Sequence, residues 1–266
     1  MAKMRIQKAL GEAGVASRRA VEQMILDGRI TVNRELVAKL PCFVDLACDE
    51  VRVDSVRVRA PRGRKIYYLL NKPRGVVCTQ RDPQGRPRAV DLLGGKANKR
   101  VYCVGRLDVE STGLIILTND GELTQRLTHP SFSVTKTYVV EVDGRLTGEQ
   151  IAQLKAGVYI DGKRTRGTSA KVLRSSPKRS LLEIRLREGR NREIRRVLAR
   201  LGHKVRKLKR VAIGPVTDRG VKVGGFRMLT GAEVRRLSRA GGRPKRPPAG
   251  ERAKAAAPGE AKRNCT

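Results

Sequence analysis

The residues GRLDVESTGLIILTNDGEL, at positions 105–123, hold an acidic turn and the start of a hydrophobic core. Asp108 lies in the polar part of this stretch, and the apolar run 114–117 that follows predicts a buried strand. Asp120 comes next, in a turn, and is suited to cap a short helix that ends near Leu127. The stretch therefore places a carboxylate on a loop directly before a core strand.

Asp108 has two interpretations at this stage. An aspartate in a turn commonly accepts hydrogen bonds from nearby backbone N–H groups, which is a purely structural role. A carboxylate among many arginines also stays ionised and is able to act as a nucleophile. The pattern alone leaves both interpretations open.

The elements around this stretch indicate an α+β fold. Apolar alternation predicts strands at 66–70, 76–79, 138–142 and 181–186, with a turn at 71–75 and helices at 150–156 and 192–201. In the last helix, Ile194, Val197 and Leu198 follow the spacing of one helical face. Because strands and helices alternate without a regular βαβ rhythm, we expect a mixed, mostly antiparallel central sheet flanked by helices.

The N-terminal residues predict a separate small unit of helices and short strands. Ser17 is a plausible N-cap for a second helix that Gly28 ends, and 30–32, 51–53 and 56–58 are predicted strands. Pro, Gly and basic residues at 60–65 suit a linker. We therefore predict a domain at 1–60, a larger one at 61–238 and a disordered basic tail at 239–266.

Charge is the strongest compositional signal. The 266 residues contain 59 Lys and Arg against 25 Asp and Glu, a net charge of +34. Subtracting acidic from basic residues gives 11 − 8 = +3 for 1–60, 40 − 15 = +25 for 61–238 and 8 − 2 = +6 for 239–266. The positive charge thus belongs mainly to the large domain, which indicates a polyanionic partner such as nucleic acid.

Several function classes find no support in the sequence. No apolar run is long enough to span a membrane, and the N-terminus lacks the apolar core of a secretion signal. Five cysteines without CxxC spacing and only two histidines do not suggest a metal site, and they favour reduced thiols in the cytoplasm. Walker A and GxGxxG motifs are absent, so no nucleotide cofactor is expected.

Four collinear segments resemble the RsuA-type ribosomal pseudouridine synthases. The stretch 105–123 is similar to the family's signature, 136–138 (KTY) to its tyrosine motif and 188–196 (EGRNREIRR) to its late basic motif. Residues 4–50, with GVASRRA at 14–20, resemble the small S4 RNA-binding domain that precedes the catalytic part. The resemblance spans about residues 4–230 and implies an enzyme that converts uridine to pseudouridine in ribosomal RNA.

The resemblance also implies roles for individual residues. Asp108 matches the catalytic aspartate, Tyr138 the tyrosine that stacks on the uracil and assists proton removal, and Arg195 the basic partner of the carboxylate. Substrate binding is expected of Arg106, which would fill the gap left by the flipped nucleotide, and of Leu107 and Ile194. The residues expected to contact RNA are Ser17, Arg18, Arg19, Arg190, Arg192 and Arg196.

Structural alternatives remain for each assignment. A tyrosine in a strand is commonly a core residue, arginines on a helix commonly form a solvated face, and Arg106 could contact a phosphate. For Ser17, Arg18 and Arg19, capping and solvent exposure are sufficient. However, arginines in the first turn of a helix do not complement its dipole, so an external anion is a sensible partner.

The predicted protein is a cytoplasmic, monomeric enzyme that acts on ribosomal RNA or a pre-ribosomal particle. Isomerisation of uridine conserves every atom, so no cofactor is required. Residues 78–87 resemble the large-subunit synthases of the group more than the small-subunit one. The alternatives are a non-catalytic ribosome assembly factor and a structural ribosomal component.

Overall fold

The computed structural model describes residues 3–60, 63–95, 100–165, 167–187 and 190–241. The elements of the N-terminal unit are β1 (Met4–Arg5), α1 (Ile6–Glu12), α2 (Arg18–Leu26), β2 (Ile30–Val32), β3 (Glu35–Leu36), β4 (Phe43–Val44), β5 (Val51–Val53) and β6 (Val56–Arg57). Antiparallel pairing gives a sheet of order β3-β2-β5-β6 and a separate β1-β4 pair.

The local signals at both ends of α2 are confirmed. The Ser17 hydroxyl accepts a hydrogen bond from the Ala20 N–H at 3.2 Å, which satisfies one unpaired donor of the first turn. Gly28 follows the helix with φ +67°, a conformation that side chains disfavour. Val21 and Ile25 bury the inner face of α2 in one apolar cluster with α1 and the strands.

The described elements of the larger part of the chain are β7 (Tyr67–Lys72), β8 (Tyr102–Cys103), β9 (Thr112–Thr118), α3 (Gly121–Thr128), β10 (Lys136–Asp143), α4 (Gly148–Ala156), β11 (Tyr159–Ile160), β12 (Lys163–Arg164), β13 (Ser169–Ser175), β14 (Arg179–Leu186), α5 (Glu193–Arg200), β15 (Val205–Ile213), β16 (Val216–Thr217), β17 (Phe226–Met228) and α6 (Gly231–Arg239). Nine of these strands form one sheet whose main path is β13-β14-β10-β15-β9-β7-β17, with β16 beside β15 and β8 beside β9.

The predicted mixed, mostly antiparallel sheet is confirmed. Among the named strands of this sheet, β9 and β15 pair in parallel and the other pairs are antiparallel. Side chains of α3 and α6 pack on one face of β7 and β9. Val76, Ala89, Leu93 and Val101 pack on the opposite face of the same strands. Helices α4 and α5 pack on β10, β14 and β15. The parallel pair β9–β15 thus lies between the half of the sheet that packs against α3 and α6 and the half that packs against α4 and α5.

Two local predictions are wrong. Residues 76–79 form no strand and make a single bridge, between Val77 and Arg88. Strand β7 runs through Asn71 and Lys72, which were predicted to turn, because both side chains are buried and hydrogen-bonded to loop carbonyls. The predicted tail begins at Arg239, which is the last residue of α6, and its residues 242–266 lie outside the described part of the chain.

Within the described ranges, no helix combines the length and apolar character needed to cross a lipid bilayer. The same residues contain no group of three or more His, Cys, Asp or Glu side chains placed to hold a metal ion.

Candidate active site

Asp108 lies on a loop that ends at the start of β9, as predicted. The loop closes on itself through the Ser111 N–H, which donates to the Asp108 carbonyl at 3.0 Å. It is also tied to the turn after β7, because the Gly75 N–H donates to the Val109 carbonyl at 2.9 Å. Arg74 and Glu110 add an ion pair between the two segments. The position of Asp108 is therefore fixed by contacts between segments that are distant in sequence.

Lys72 lies beneath these two segments and is fully buried. Its ammonium donates to the carbonyls of Pro73 at 2.8 Å and Val76 at 2.9 Å, with Val109 at 3.5 Å. Burial lowers the pKa of Lys72, and the nearby Asp108 acts in the opposite direction. A single buried cation thus joins the turn after β7 to the Asp108 loop.

Two arginines from the start of α5 approach the Asp108 carboxylate. Arg192 Nη1 lies 3.6 Å and Arg195 Nε 3.9 Å from Oδ2, and 17% of the Asp108 side chain is exposed. Arg195 approaches Oδ2 only through Nε, while its Nη1 donates to the Val205 carbonyl at 3.3 Å. Burial and the neighbouring Arg192 lower the pKa of the Arg195 guanidinium. The carboxylate is therefore shared between two cations.

Tyr138 and Arg210 lie opposite each other on β10 and β15. Tyr138 is 8% exposed and Arg210 is 3% exposed, and Arg210 Nη1 lies 3.5 Å from the tyrosine hydroxyl. Lys136 precedes Tyr138 by two positions and so points to the same face of β10. These side chains and Asp108 face one cavity.

This cavity, the Asp108 cavity, has a volume of about 580 Å³, in the range of small-ligand sites. Apolar side chains from the loop and α5 line one part, and the end of α3 with His129 forms another wall. Among the predicted site residues, those that line it are Asp108, Tyr138, Arg106, Leu107, Ile194, Arg190 and Arg192.

The remaining predicted residues lie elsewhere. Arg195 contacts Asp108 but is not part of the cavity wall. Arg196 forms an ion pair with Asp161, on the turn between β11 and β12. Ser17, Arg18 and Arg19 are exposed at the start of α2 in the N-terminal unit.

Sequence reasoning missed four charged residues of the cavity wall: Lys136, Arg187, Glu193 and Arg210. Burial, reinforced by Arg210, lowers the pKa of Lys136 to about 8, while Glu193 acts in the opposite direction. Glu193 is 4% exposed, and its Oε2 accepts a hydrogen bond from the Arg190 N–H at 3.0 Å. Lys136 belongs to the KTY motif, so the sequence contained a signal that could have identified it. Arg210 gave no such signal, because it lies in a run of basic residues typical of a solvated strand.

A second, wider depression adjoins the Asp108 cavity and shares Pro130, Leu186, Arg187 and Glu193 with it. It contains hydroxyl side chains and further arginines, which are the groups that contact phosphates and sugars in nucleic-acid complexes. These residues are Ser131, Ser133, Thr135, Thr137, Ser169, Arg185, Arg236 and Arg239.

Two family models match the chain. A model described as RNA pseudouridylate synthase matches residues 66–200, which include the Asp108 loop, Tyr138 and the start of α5. The S4 domain model matches residues 4–40.

Similar whole proteins agree with these models. Ribosomal large subunit pseudouridine synthase B of Bacillus subtilis is 38% identical over 235 residues, 88% of this chain and 95% of that protein. An uncharacterized RNA pseudouridine synthase of Aquifex aeolicus is 40% identical over 244 residues, 91% and 96% of the two chains. A crystal structure of a pseudouridylate synthase superimposes with a TM-score of 0.65 at 27% identity, and the match covers 88% of this chain and 99% of that one.

Proposed function

This chain belongs to the RNA pseudouridylate synthase family, and on that premise we propose that it converts uridine to pseudouridine in the ribosomal RNA of the large subunit, with Asp108 acting at the sugar. The observation that carries the proposal is the arrangement of the Asp108 cavity. One partly exposed carboxylate, held by Arg192 and Arg195, faces a buried tyrosine across a cavity suited to a small ligand.

The reaction requires a flipped nucleotide. The bond between N1 and C1′ of the uridine breaks, the uracil turns and C5 bonds to C1′, after which the C5 proton leaves and N1 gains a proton. C1′ and C5 are inaccessible in a stacked helix, so the target base must leave the stack and enter the cavity. Arg106 is exposed at the cavity, and in this proposal it occupies the gap that the nucleotide leaves.

Each side chain of the Asp108 cavity has a separate role in this proposal. Asp108 acts as a nucleophile at C1′ or as a base at the sugar, and both roles need its ionised form. Arg192 and Arg195 place two positive charges beside this carboxylate. The Tyr138 ring stacks on the uracil while its hydroxyl assists removal of the C5 proton, and Leu107 and Ile194 provide apolar contacts to the base.

RNA outside the cavity is bound by the basic surface. The arginines and hydroxyls of the second depression suit an RNA backbone that continues from the flipped nucleotide. We assign Arg18 and Arg19 of the N-terminal unit to additional phosphate contacts, and we retain the domain limits 1–60, 61–238 and 239–266. In this proposal the enzyme is a cytoplasmic monomer whose substrate is ribosomal RNA or a pre-ribosomal particle.

Replacement of Asp108 tests the proposal. Asp108→Asn is nearly isosteric but cannot act as a carboxylate, so the single-turnover rate should fall by at least ~10³-fold. The rate is measured as tritium release from a large-subunit ribosomal RNA transcript labelled with [5-³H]uridine, and RNA affinity by filter binding. Affinity should stay within about threefold, because the phosphate contacts remain.

Asp91→Asn is the matched control. It makes the same chemical change in the same domain, but Asp91 pairs with Arg88 outside the Asp108 cavity. Its rate should remain near that of the unaltered protein. Wild-type activity retained by Asp108→Asn would refute the catalytic assignment and leave a non-catalytic RNA-binding protein.

A further inference from the structure

Arg210 is a buried cation whose guanidinium is only partly used by the protein. Its Nε donates to the Leu114 carbonyl at 2.6 Å and its Nη1 lies 3.5 Å from the Tyr138 hydroxyl. Its Nη2 is buried and has no hydrogen-bond partner in the part of the chain that the structure describes. Because buried donors are almost always paired, an unpaired one in the wall of a cavity indicates an acceptor on the ligand.

Backbone packing and one side-chain hydrogen bond hold Arg210 in place. Gly113 of β9 pairs with Arg210 of β15 and has φ +105°. A Cβ atom on Gly113 would lie 2.2 Å from the Arg210 carbonyl oxygen, so this close approach of the strands needs glycine. The hydrogen bond from Nε to the Leu114 carbonyl then restrains the guanidinium itself. A donor restrained in this way is preorganised, which is the condition for strong electrostatic stabilisation of a reacting group.

We propose, on the basis of the function proposed above, that Arg210 and Lys136 bind the carbonyl oxygens of the flipped uracil and stabilise its negative charge after it detaches from the sugar. This assigns a specific binding site for the base within the Asp108 cavity, formed by two cations from neighbouring strands.

Burial distinguishes the base from the phosphate as the ligand of Arg210. Arg106, Arg190 and Arg192 are exposed at the cavity and accessible to phosphates. Arg210 is 3% exposed, while 17% of the Asp108 side chain remains accessible. A flipped nucleotide enters base first, so its uracil reaches the most buried cation, its sugar reaches Asp108 and its phosphates stay outside.

The electron balance of the reaction explains what such a site would stabilise. When the N1–C1′ bond breaks, its electron pair stays on the uracil, whose negative charge spreads over N1, O2 and O4. C1′ bonds to the Asp108 carboxylate if Asp108 is a nucleophile, or joins C2′ in a double bond if Asp108 removes the C2′ proton. The uracil is an anion in both cases, and a preorganised cation stabilises it most where water is excluded.

Arg210→Met tests the proposal, with the tritium-release assay at saturating RNA and filter binding for affinity. The single-turnover rate should fall by about 10²–10³-fold, as when one donor to a developing anion is lost, while RNA affinity changes less than about threefold. Arg210→Lys keeps the charge and should recover at least tenfold of the lost rate. Arg206→Met is the matched control, because Arg206 is exposed on the same strand and pairs with Asp143.

Three results would overturn the proposal: an unchanged rate, a loss confined to RNA affinity, or no recovery in Arg210→Lys. If Arg210→Met fails to fold, as judged by its melting temperature, Lys136→Met replaces it and should slow the saturated reaction at least tenfold; an unchanged rate would then contradict us. Failure of the proposed function itself would appear separately, as wild-type protein that releases no tritium or as active Asp108→Asn.

Discussion

The N-terminal unit and the sheet body, residues 63–241, differ in what they bury. Among the described residues, the N-terminal unit surrounds one apolar cluster and buries a single polar side chain, Asp45. The described residues of the sheet body bury eleven polar or charged side chains: Asn71, Lys72, Ser111, Thr118, Asp120, Thr165, Thr168, Ser180, Glu193, His203 and Arg210. Three of these charged side chains contact the Asp108 loop or line the Asp108 cavity: Lys72, Glu193 and Arg210. Because buried charge costs folding free energy unless it is paired, the stability of the sheet body depends on such pairing, whereas that of the N-terminal unit rests on apolar packing.

The largest effect is expected at Lys72. Lys72→Met keeps a long side chain but removes the ammonium, leaving the Pro73 and Val76 carbonyls without their charged donor. We expect a loss of about 3–4 kcal/mol in the free energy of unfolding, somewhat less than two charge-assisted hydrogen bonds because methionine gains from burial. Urea unfolding followed by circular dichroism measures it.

Leu10→Met is the matched variant in the N-terminal unit. Leu10 is fully buried in the apolar cluster, and a volume-conserving change there should cost less than about 1.5 kcal/mol. If Lys72→Met lowered the free energy of unfolding no more than Leu10→Met does, buried charge would not stabilise the sheet body more than apolar packing stabilises the N-terminal unit.

Two ion pairs of similar geometry provide the next test. Arg29 and Asp54 form a two-bonded pair in the N-terminal unit, where 43% and 50% of the side chains are exposed. Arg227 and Glu233 form such a pair in the sheet body with 31% and 12% exposed. The hydrogen bonds from Arg227 lower the pKa of Glu233 from 4.5 to about 2.

Glu233→Gln should therefore destabilise the protein by about 2–3 kcal/mol at pH 7, while Asp54→Asn changes its stability far less. The carbonyl oxygen of the introduced glutamine can still accept from the Thr230 N–H. Its NH2 group replaces the oxygen that accepts from Arg227 Nη2, so the change removes the charge together with one hydrogen bond. A lowered carboxyl pKa stabilises the fold above the unfolded value and loses that effect as pH falls through the folded value. The difference between wild type and Glu233→Gln should thus be full above about pH 4.5, reduced by about half at pH 3 and absent below pH 2. Urea unfolding at pH 7 and pH 3 measures it, and a constant difference would show that charge is not the cause.

The sequence predicted what local signals determine. Ser17 and Asp120 cap their helices as expected, since capping depends on residues within one turn. Arg210 was not found, because its burial depends on the pairing of β15 with both Tyr138 on β10 and Gly113 on β9. Lys72 was predicted to turn for the same reason, since its acceptors come from segments brought together only by the fold.

The smallest effect is expected from the N-terminal unit, where Arg18 and Arg19 are exposed in the first turn of α2. Changing both to Ala should weaken RNA binding by about tenfold. The slope of log affinity against log salt concentration should also fall, by the amount that corresponds to the loss of about two phosphate contacts. The rate at saturating RNA should not change, because these residues lie outside the Asp108 cavity. Filter binding across a salt series, with Arg34→Ala as an exposed control in the same unit, measures both quantities. A slower rate at saturating RNA would mean that the N-terminal unit takes part in the chemical step. It would contradict the assignment of RNA binding to that unit and of the reaction to the sheet body.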